Sequence, residues 1–283
     1  MAKNKDKDKE KTSEFDELFQ YNDSFIEAKK SVTKIEEYTR LIRVLTDYWG
    51  MRNAWFRGHT KEKYKLTPSA YRPDIWNYDN QVEADSENEF IRQARAFSDN
   101  NDKNLNRWEW YQIMQHHGMP TRLLDWSSAS NVALYFALRN LNSIENPTVW
   151  AIDPEWLNRH TTGDPSLLYT DPSIQTDEDI KITGSYVPTS KVLPELPAAI
   201  LPAHIVPRIT AQHGCFTIHG RNKKELFDQI ETNGLPRIAK IVINDKYVEA
   251  IKGDLAINGI IETSLFPDLD GLARHLKWEN DMT

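Results

Sequence analysis

With 283 residues the chain is long enough to bury a full core. Its 35 lysines and arginines stand against 42 aspartates and glutamates, a net charge of −7. That balance gives no general electrostatic reason to bind nucleic acid and leaves only a local basic groove open. A single cysteine, Cys215, excludes an intramolecular disulfide.

No apolar run approaches the ~20 residues of a membrane helix, so no membrane association is expected. Nor does an apolar stretch follow the charged segment Met1 to Lys11, so no signal peptide is read and a cytoplasmic protein is expected. Nine tryptophans and eleven tyrosines favour a large aromatic core or a stacking site for a planar ligand.

In chain order, Ala2 to Lys11 alternates charge signs without an apolar anchor. Residues 1–23 therefore read as a disordered charged tail and lead-in, ahead of one domain over 24–283. Tyr38, Leu41, Ile42, Leu45 and Trp49 fall at helical spacing. Ala54 to Gly58 reads as a short strand ending on glycine, and the proline-punctuated Leu66 to Ser69 and Tyr71 to Pro73 as loop. Glu83 to Phe97 and Asn106 to Gln115 look helical, whereas Thr148 to Ile152 is a strand of buried type.

Residues 160–204 are poor in pattern and rich in proline, and read as a long irregular excursion. Ile209 and Cys215 to Ile218 bracket a turn at Gly214. Arg237 to Ile243 is read as strand, Asp245 to Ala256 as helix, and Pro267 to Leu276 as a closing helix opened by its proline. The expected class is α+β: N-terminal helices, then a mixed, largely antiparallel sheet with flanking helices.

Three polar clusters could carry chemistry. In the first, Arg57 lies between Trp55-Phe56 and Gly58. A buried, unpaired guanidinium is costly, so Arg57 either recognises a carboxylate or phosphate ligand, with glycine admitting it close to the backbone, or forms a structural ion pair with a core carboxylate such as Asp125.

The second cluster is Gln115 to Ser127, broken at Gly118-Met119-Pro120 and followed by the apolar Asn131 to Ala137. His117 is a candidate for hydrogen bonding or acid–base work and equally for a structural histidine. Adjacent His116 and His117 diverge on any regular backbone and lack metal-ligand spacing, so no metal site is expected. Arg122 and Asp125 could pair on a helix face, although Pro120 favours a tight loop. Ser130 is read as a helix cap, and Ser127 is left open.

The third cluster runs from Arg208 to Phe216, with Gln212, His213 and Cys215. Cys215, flanked by apolar residues, reads as a small buried hydrophobe rather than a nucleophile.

Together these segments resemble the FRG domain family, named for a Phe-Arg-Gly motif that is Phe56-Arg57-Gly58 here. The resemblance continues through Leu66-Thr67-Pro68-Ser69 and Arg72, then Gln115 to Ser127 with Ala133-Leu134-Tyr135-Phe136-Ala137. It also takes in Arg208-Ile209, Gln212, Gly214 and Phe216-Thr217, and Ser264 to Leu272. It spans about Tyr48 to Leu276. One departure is His117, where many members carry tyrosine, which argues against an essential imidazole.

A more distant resemblance is to arginine–serine–glutamate ADP-ribosyltransferases. These carry an arginine on a first strand, a Ser/Thr-rich strand before a helix, and a catalytic glutamate on a later strand. Arg57, then Thr121 to Ser127 ahead of Ala133 and Phe136, follows that order, with Gln212 near the expected glutamate. Glutamine keeps a hydrogen bond to a ribose but loses the charge that stabilises an oxocarbenium-like transition state. Glu225 and Glu262 are alternative sources of that charge.

The resemblance implies NAD or a related nucleotide as ligand, with no further cofactor. Arg57 would hold phosphate, His117 and Gln212 would join it in catalysis, and Ser69, Arg72, Thr121, Arg122, Asp125 and Ser127 would bind substrate. Arg57, Ser69, Arg72, His117, Arg122, Asp125 and Gln212 are expected to converge on one pocket. Two readings stay open: an enzyme acting on NAD with a protein acceptor, or a non-catalytic nucleotide-sensing or protein-interaction module of a prophage or antiviral system. Nucleic acid is disfavoured by the net charge.

Overall fold

The computed structural model describes residues 12–51, 53–72, 78–94, 96–97, 105–139, 145–230, 236–280 and 282. Among these, the strands are β1 (Phe19–Tyr21), β2 (Ile26–Ala28), β3 (Trp55–His59), β4 (Leu123–Ser127), β5 (Thr148–Ile152), β6 (Leu168–Tyr169), β7 (Ala198–Leu201), β8 (Gly214–Ile218) and β9 (Ile238–Val242). They form one sheet in the order β1-β2-β9-β5-β3-β4-β8-β7-β6. Its pairings are antiparallel except β2–β9 and β6–β7, so the chain has the expected α+β class with a mixed, mostly antiparallel sheet.

The helices are α1 (12–18), α2 (Ile35–Trp49), α3 (Asn80–Ala94), α4 (Arg107–His116), α5 (Ser130–Leu138) and α6 (Pro154–Thr162). After these come α7 (Asp177–Gly184), α8 (Pro207–Ala211), α9 (Val248–Ile257), α10 (Glu262–Leu265) and α11 (Leu269–Glu279). The apolar stripe of α2 packs with α5 and α9 against β3, β5 and β9. A second cluster, on Trp55, Trp126 and Trp150, joins neighbouring strands, and a third packs α4 on β4, β7 and β8.

The sheet is joined weakly at its centre. β3 pairs with β5 along its full length, as β4 does with β8. Between β3 and β4 the only register pair among described residues is Phe56↔Ser127. Away from it, the side chain of Arg57 takes over: its Nη1 donates to the Asp125 carbonyl at 2.6 Å. Backbone acceptors need a partner, and here a guanidinium supplies it where the ladder does not continue.

Gly58 secures the adjacent layer. A Cβ there would lie 2.0 Å from the Ala133 carbonyl oxygen and 2.4 Å from the Ala137 nitrogen. The glycine of Phe-Arg-Gly and the small residues of Ala-Leu-Tyr-Phe-Ala are thus two halves of one close strand–helix contact. This packing reason stands beside the expectation that Gly58 admits a ligand, since the glycine also lines a cavity.

Several sequence expectations change. Residues 160–204 carry α7, β6 and β7, the last pairing antiparallel with β8. Ala198, Ala199 and Ile200 are all buried, so the alternation that marks a half-exposed strand is missing. A capping box of Thr176 and Asp179 starts α7, and the Asn158 amide bonds the Ala199 carbonyl (3.0 Å) and accepts from its N–H (2.7 Å).

Residues 12–23 are not a loose lead-in. Phe15 is fully buried and stacks on Tyr48 at 3.7 Å, and β1 lies at the sheet edge. The tail over 1–11 lies outside the described residues.

Arg122 and Asp125 flank and occupy strand β4 rather than a tight loop. The helix α4, opened by a capping box of Asn106 and Glu109, ends at the C-cap His117, and Gly118 takes φ +85°. Pro120 then precedes the strand instead of sitting in a turn. Ser130 does not cap α5: the N-cap is Ala129, whose own N–H is accepted by Ser127 Oγ at 3.0 Å. The closing helix is capped by Asp268, which accepts from the Gly271 N–H at 2.6 Å; Pro267 lies before it.

Candidate functional site

Beside the loose β3–β4 junction lies a cavity of about 360 Å³. β3 contributes Arg57, β4 contributes Asp125 and Ser127, α4 contributes Gln112, Gln115 and His116, and the α8–β8 segment contributes Arg208 and Gln212. Phe56, Trp126, Phe136 and Phe216 give it aromatic walls. A polar ligand with a flat apolar part suits such a lining.

Arg57 is fixed at three points and still reaches the cavity. Its Nε donates to His59 Nε2 at 3.1 Å, and its Nη1 donates to the Asp125 carbonyl and lies 3.5 Å from the Asp125 carboxylate. Its side chain is 17% exposed and that of Asp125 61%, so the ion pair is open to solvent rather than sealed. Burial pulls the guanidinium below its ordinary pKa, with Asp125 opposing and Arg72 adding to the fall. No hydrogen bond is formed by Nη2 among the described residues, which leaves donors for a ligand.

His59 is held neutral. Burial first, then Arg57 and Arg72, push its pKa down to about 3. Its Nδ1 then donates to the Tyr64 carbonyl at 3.1 Å, and Nε2 is free to accept from Arg57.

A polar relay positions Asp125. Ser69 Oγ accepts from the Thr121 N–H at 3.1 Å. Thr121 Oγ1 donates to Gln115 Oε1, and Gln115 Nε2 donates to Asp125 Oδ1 at 2.6 Å. Ser69 and Thr121 therefore act on the cavity through Gln115 without lining it. Across the cavity, Ser127 Oγ donates to the Gln212 carbonyl at 2.7 Å, and Gln212 Nε2 to the Leu265 carbonyl at 3.0 Å.

Arg57, Asp125, Ser127 and Gln212 are thus brought together, but the expected convergence of seven residues is corrected. Arg122 is fully buried in another network: Nε donates to Glu83 at 2.8 Å, Nη1 to the His219 carbonyl at 2.8 Å, and Nη2 to the Tyr186 carbonyl at 2.5 Å. Burial disfavours its charge, but Tyr111 and Glu83 hold it above its ordinary pKa. Arg72 lines a neighbouring cavity, and His117 lines a groove between α3 and α4.

Glu225 lies with Arg72 and pairs with Lys65, whereas Glu262 binds Arg139 and Arg274. Asp125 is the one acid lining the site cavity among the described residues. Burial, with Asp125 nearby, holds the Cys215 thiol well above its ordinary pKa, which suits a hydrophobic role.

Gln112 lay outside the expected polar clusters, and Gln115, His116 and Arg208 lay within them without an assigned role. The first three fall at i, i+3 and i+4, one face of a helix, and that spacing selects His116 over His117. Burial and then Arg208 lower the His116 pKa. The Gln112 Oε1 is buried and has no hydrogen-bond partner among the described residues. Arg208 packs over the Phe266 ring at 4.3 Å, an arrangement no local sequence pattern signals. No group of His, Cys, Asp and Glu suited to hold a metal occurs among the described residues, and no helix there is long and apolar enough to cross a membrane.

No curated protein and no solved structure matches the chain. A family model does: that of the FRG domain, over residues 52–146. This stretch supplies β3, α4, β4 and α5, hence the Arg57, α4 and Asp125 walls of the cavity, and over it the chain is similar to the FRG domain family.

Proposed function

We propose that the chain binds a pyrophosphate-containing nucleotide, with NAD as the candidate ligand, in an ADP-ribosyltransferase-like manner. The observation that carries this reading is the meeting of Arg57, Ser127 and Gln212 in one aromatic-walled cavity, from the adjacent strands β3 and β4 and the turn before β8. Arg57 keeps donors for a phosphoryl oxygen, and the Gln112 and Gln212 amides with Asp125 suit ribose hydroxyls. In a transfer reaction, the Asp125 carboxylate would supply the negative charge that Gln212 lacks, stabilising a cationic ribosyl centre.

Calorimetry with NAD and an assay of nicotinamide release, each on wild type and Arg57→Ala, test this. Wild type is expected to bind, and Arg57→Ala to lose binding by about tenfold or more. Absence of both binding and release in the wild type would remove the reading. A non-catalytic binding module is favoured by one observation: the uncharged Gln212 amide is already committed to the Leu265 carbonyl. Stoichiometric binding with NAD recovered unchanged would select that version; steady nicotinamide release would reject it.

A further inference from the structure

A second cavity, of about 800 Å³, adjoins the first, and Arg57 and Gly58 line both. Its other basic residues are Lys63, Lys65, Arg72, Lys223 and Lys224. Two of these charges are answered: Lys63 pairs with Glu145 at 2.8 Å and Lys65 with Glu225 at 3.3 Å. Arg72, Lys223 and Lys224 have no carboxylate partner among the described residues. Arg72 Nε donates to the Thr67 carbonyl at 3.1 Å, and Lys223 Nζ to the Tyr78 carbonyl at 3.5 Å. Asp228 is the remaining acid in the lining.

On a chain of net charge −7, this is marked segregation of positive charge. His59, which feels both Arg57 and Arg72, is a neutral ring in this lining, so it neither adds to the charge nor cancels it. Gathering like charges in a concave site costs folding energy, which a bound anion offsets. Guanidinium and ammonium donors suit phosphoryl oxygens. The first cavity suits a different partner: its aromatic walls and amides accept a ring and hydroxyls, and it holds fewer cations, Arg57 and Arg208, against the carboxylate of Asp125.

We propose that the second cavity seats the phosphate chain of the ligand, a diphosphate or triphosphate, while its ring-bearing part occupies the first cavity. Arg57 spans the junction and bonds the phosphate nearest the ring; Arg72, Lys223 and Lys224 hold those beyond. This assignment rests on the nucleotide reading above, but the phosphate seat has a test of its own.

The probe is inorganic tripolyphosphate, titrated by calorimetry into the full chain at low and high salt. Wild type should bind one equivalent, with affinity falling as salt rises. Lys223→Ala/Lys224→Ala, both at exposed positions, and Arg72→Gln should each weaken binding by about tenfold or more. ADP and NAD should displace tripolyphosphate, and adenosine should not.

Failure of the wild type to bind tripolyphosphate, or binding that both variants leave unchanged, overturns the proposal. Variant-sensitive binding with no displacement by ADP or NAD sustains the phosphate seat and removes the nucleotide reading instead. Much tighter binding of a single-stranded oligonucleotide, lost equally in the variants, overturns the assignment in favour of a nucleic-acid groove.

Discussion

Two arginines of the recognised motifs, Arg57 and Arg122, lie near one strand and do opposite work. Arg122 has no exposed surface, and its guanidinium is committed to Glu83, His219 and Tyr186. Around it, Tyr111 OH donates to Glu83, accepts from the Arg122 N–H at 2.8 Å, and closes the network. Arg57 is equally well anchored by His59 and Asp125 but retains an open edge on two cavities. Residue type and motif membership are the same in both. What separates them is whether every donor is spent inside the protein.

The largest expected effect comes from breaking the sealed member of the pair. Arg122→Met leaves the Glu83 carboxylate buried without its cation and should cost about 3–5 kcal/mol in urea unfolding. Adding Glu83→Gln should recover part of that loss, since both charges are then gone. Arg57→Met should cost only about 1 kcal/mol, because water in the cavities can reach the groups it leaves. Equal losses at the two positions would erase the distinction.

Gly58→Ala comes next. The new methyl would overlap the Ala133 carbonyl and the Ala137 nitrogen, so β3 and α5 must separate. A destabilisation of at least about 3 kcal/mol is expected from thermal or urea unfolding. A mild loss of stability with loss of ligand binding would put the ligand-admitting role of Gly58 ahead of its packing role.

The bond between His59 and Arg57 can be probed by pH. The His59 pKa is about 3 in the fold against an ordinary 6.5, so the unfolded chain takes up the proton first as pH falls. Its contribution is complete above about pH 6.5 and is lost progressively toward about pH 3, with a slope of up to ~1.4 kcal/mol per pH unit. His219, whose pKa burial and then Arg122 and Arg57 also push down to about 3, behaves alike on the sealed side. Comparing urea unfolding of wild type and His59→Gln at pH 7 and pH 4.5 isolates one proton of that slope. An unchanged slope would mean that His59 is not the neutral acceptor for Arg57.

Much of the site was legible because its contributors sit in dense polar motifs. Arg57, Asp125 and Ser127 each stood beside a glycine or an aromatic residue, and Gln212 two residues before Gly214. The sheet class was legible from buried runs such as Thr148–Ile152. Arg122 was misread because its partner Glu83 lies 39 residues upstream on another helix. The grouping of Arg72 with Lys223 and Lys224 in a second cavity was not legible because those lysines come from a loop after β8. β7 escaped notice because a strand covered on both faces has no alternation, and Asn158, which orders it, lies on α6. Local pattern names residues that need a partner; only the fold says which partner they find.

The smallest expected effect falls at the joint that presents Gln212. His213 takes φ +49°, the left-handed region, between α8 and β8, and its carbonyl accepts from the Ser128 N–H at 3.0 Å. A side chain there carries a cost that glycine avoids, so relief of the native conformation favours His213→Gly. Glycine also gives the unfolded chain more freedom, which works against the gain. The net should be a stabilisation of no more than about 1 kcal/mol, read as a small rise in the urea midpoint. Ligand affinity should hold, since the exposed His213 ring does not line the site cavity. A fall in stability above 1 kcal/mol would mean that the His213 side chain, rather than its backbone, fixes the turn and with it the Ser127–Gln212 bond across the two walls.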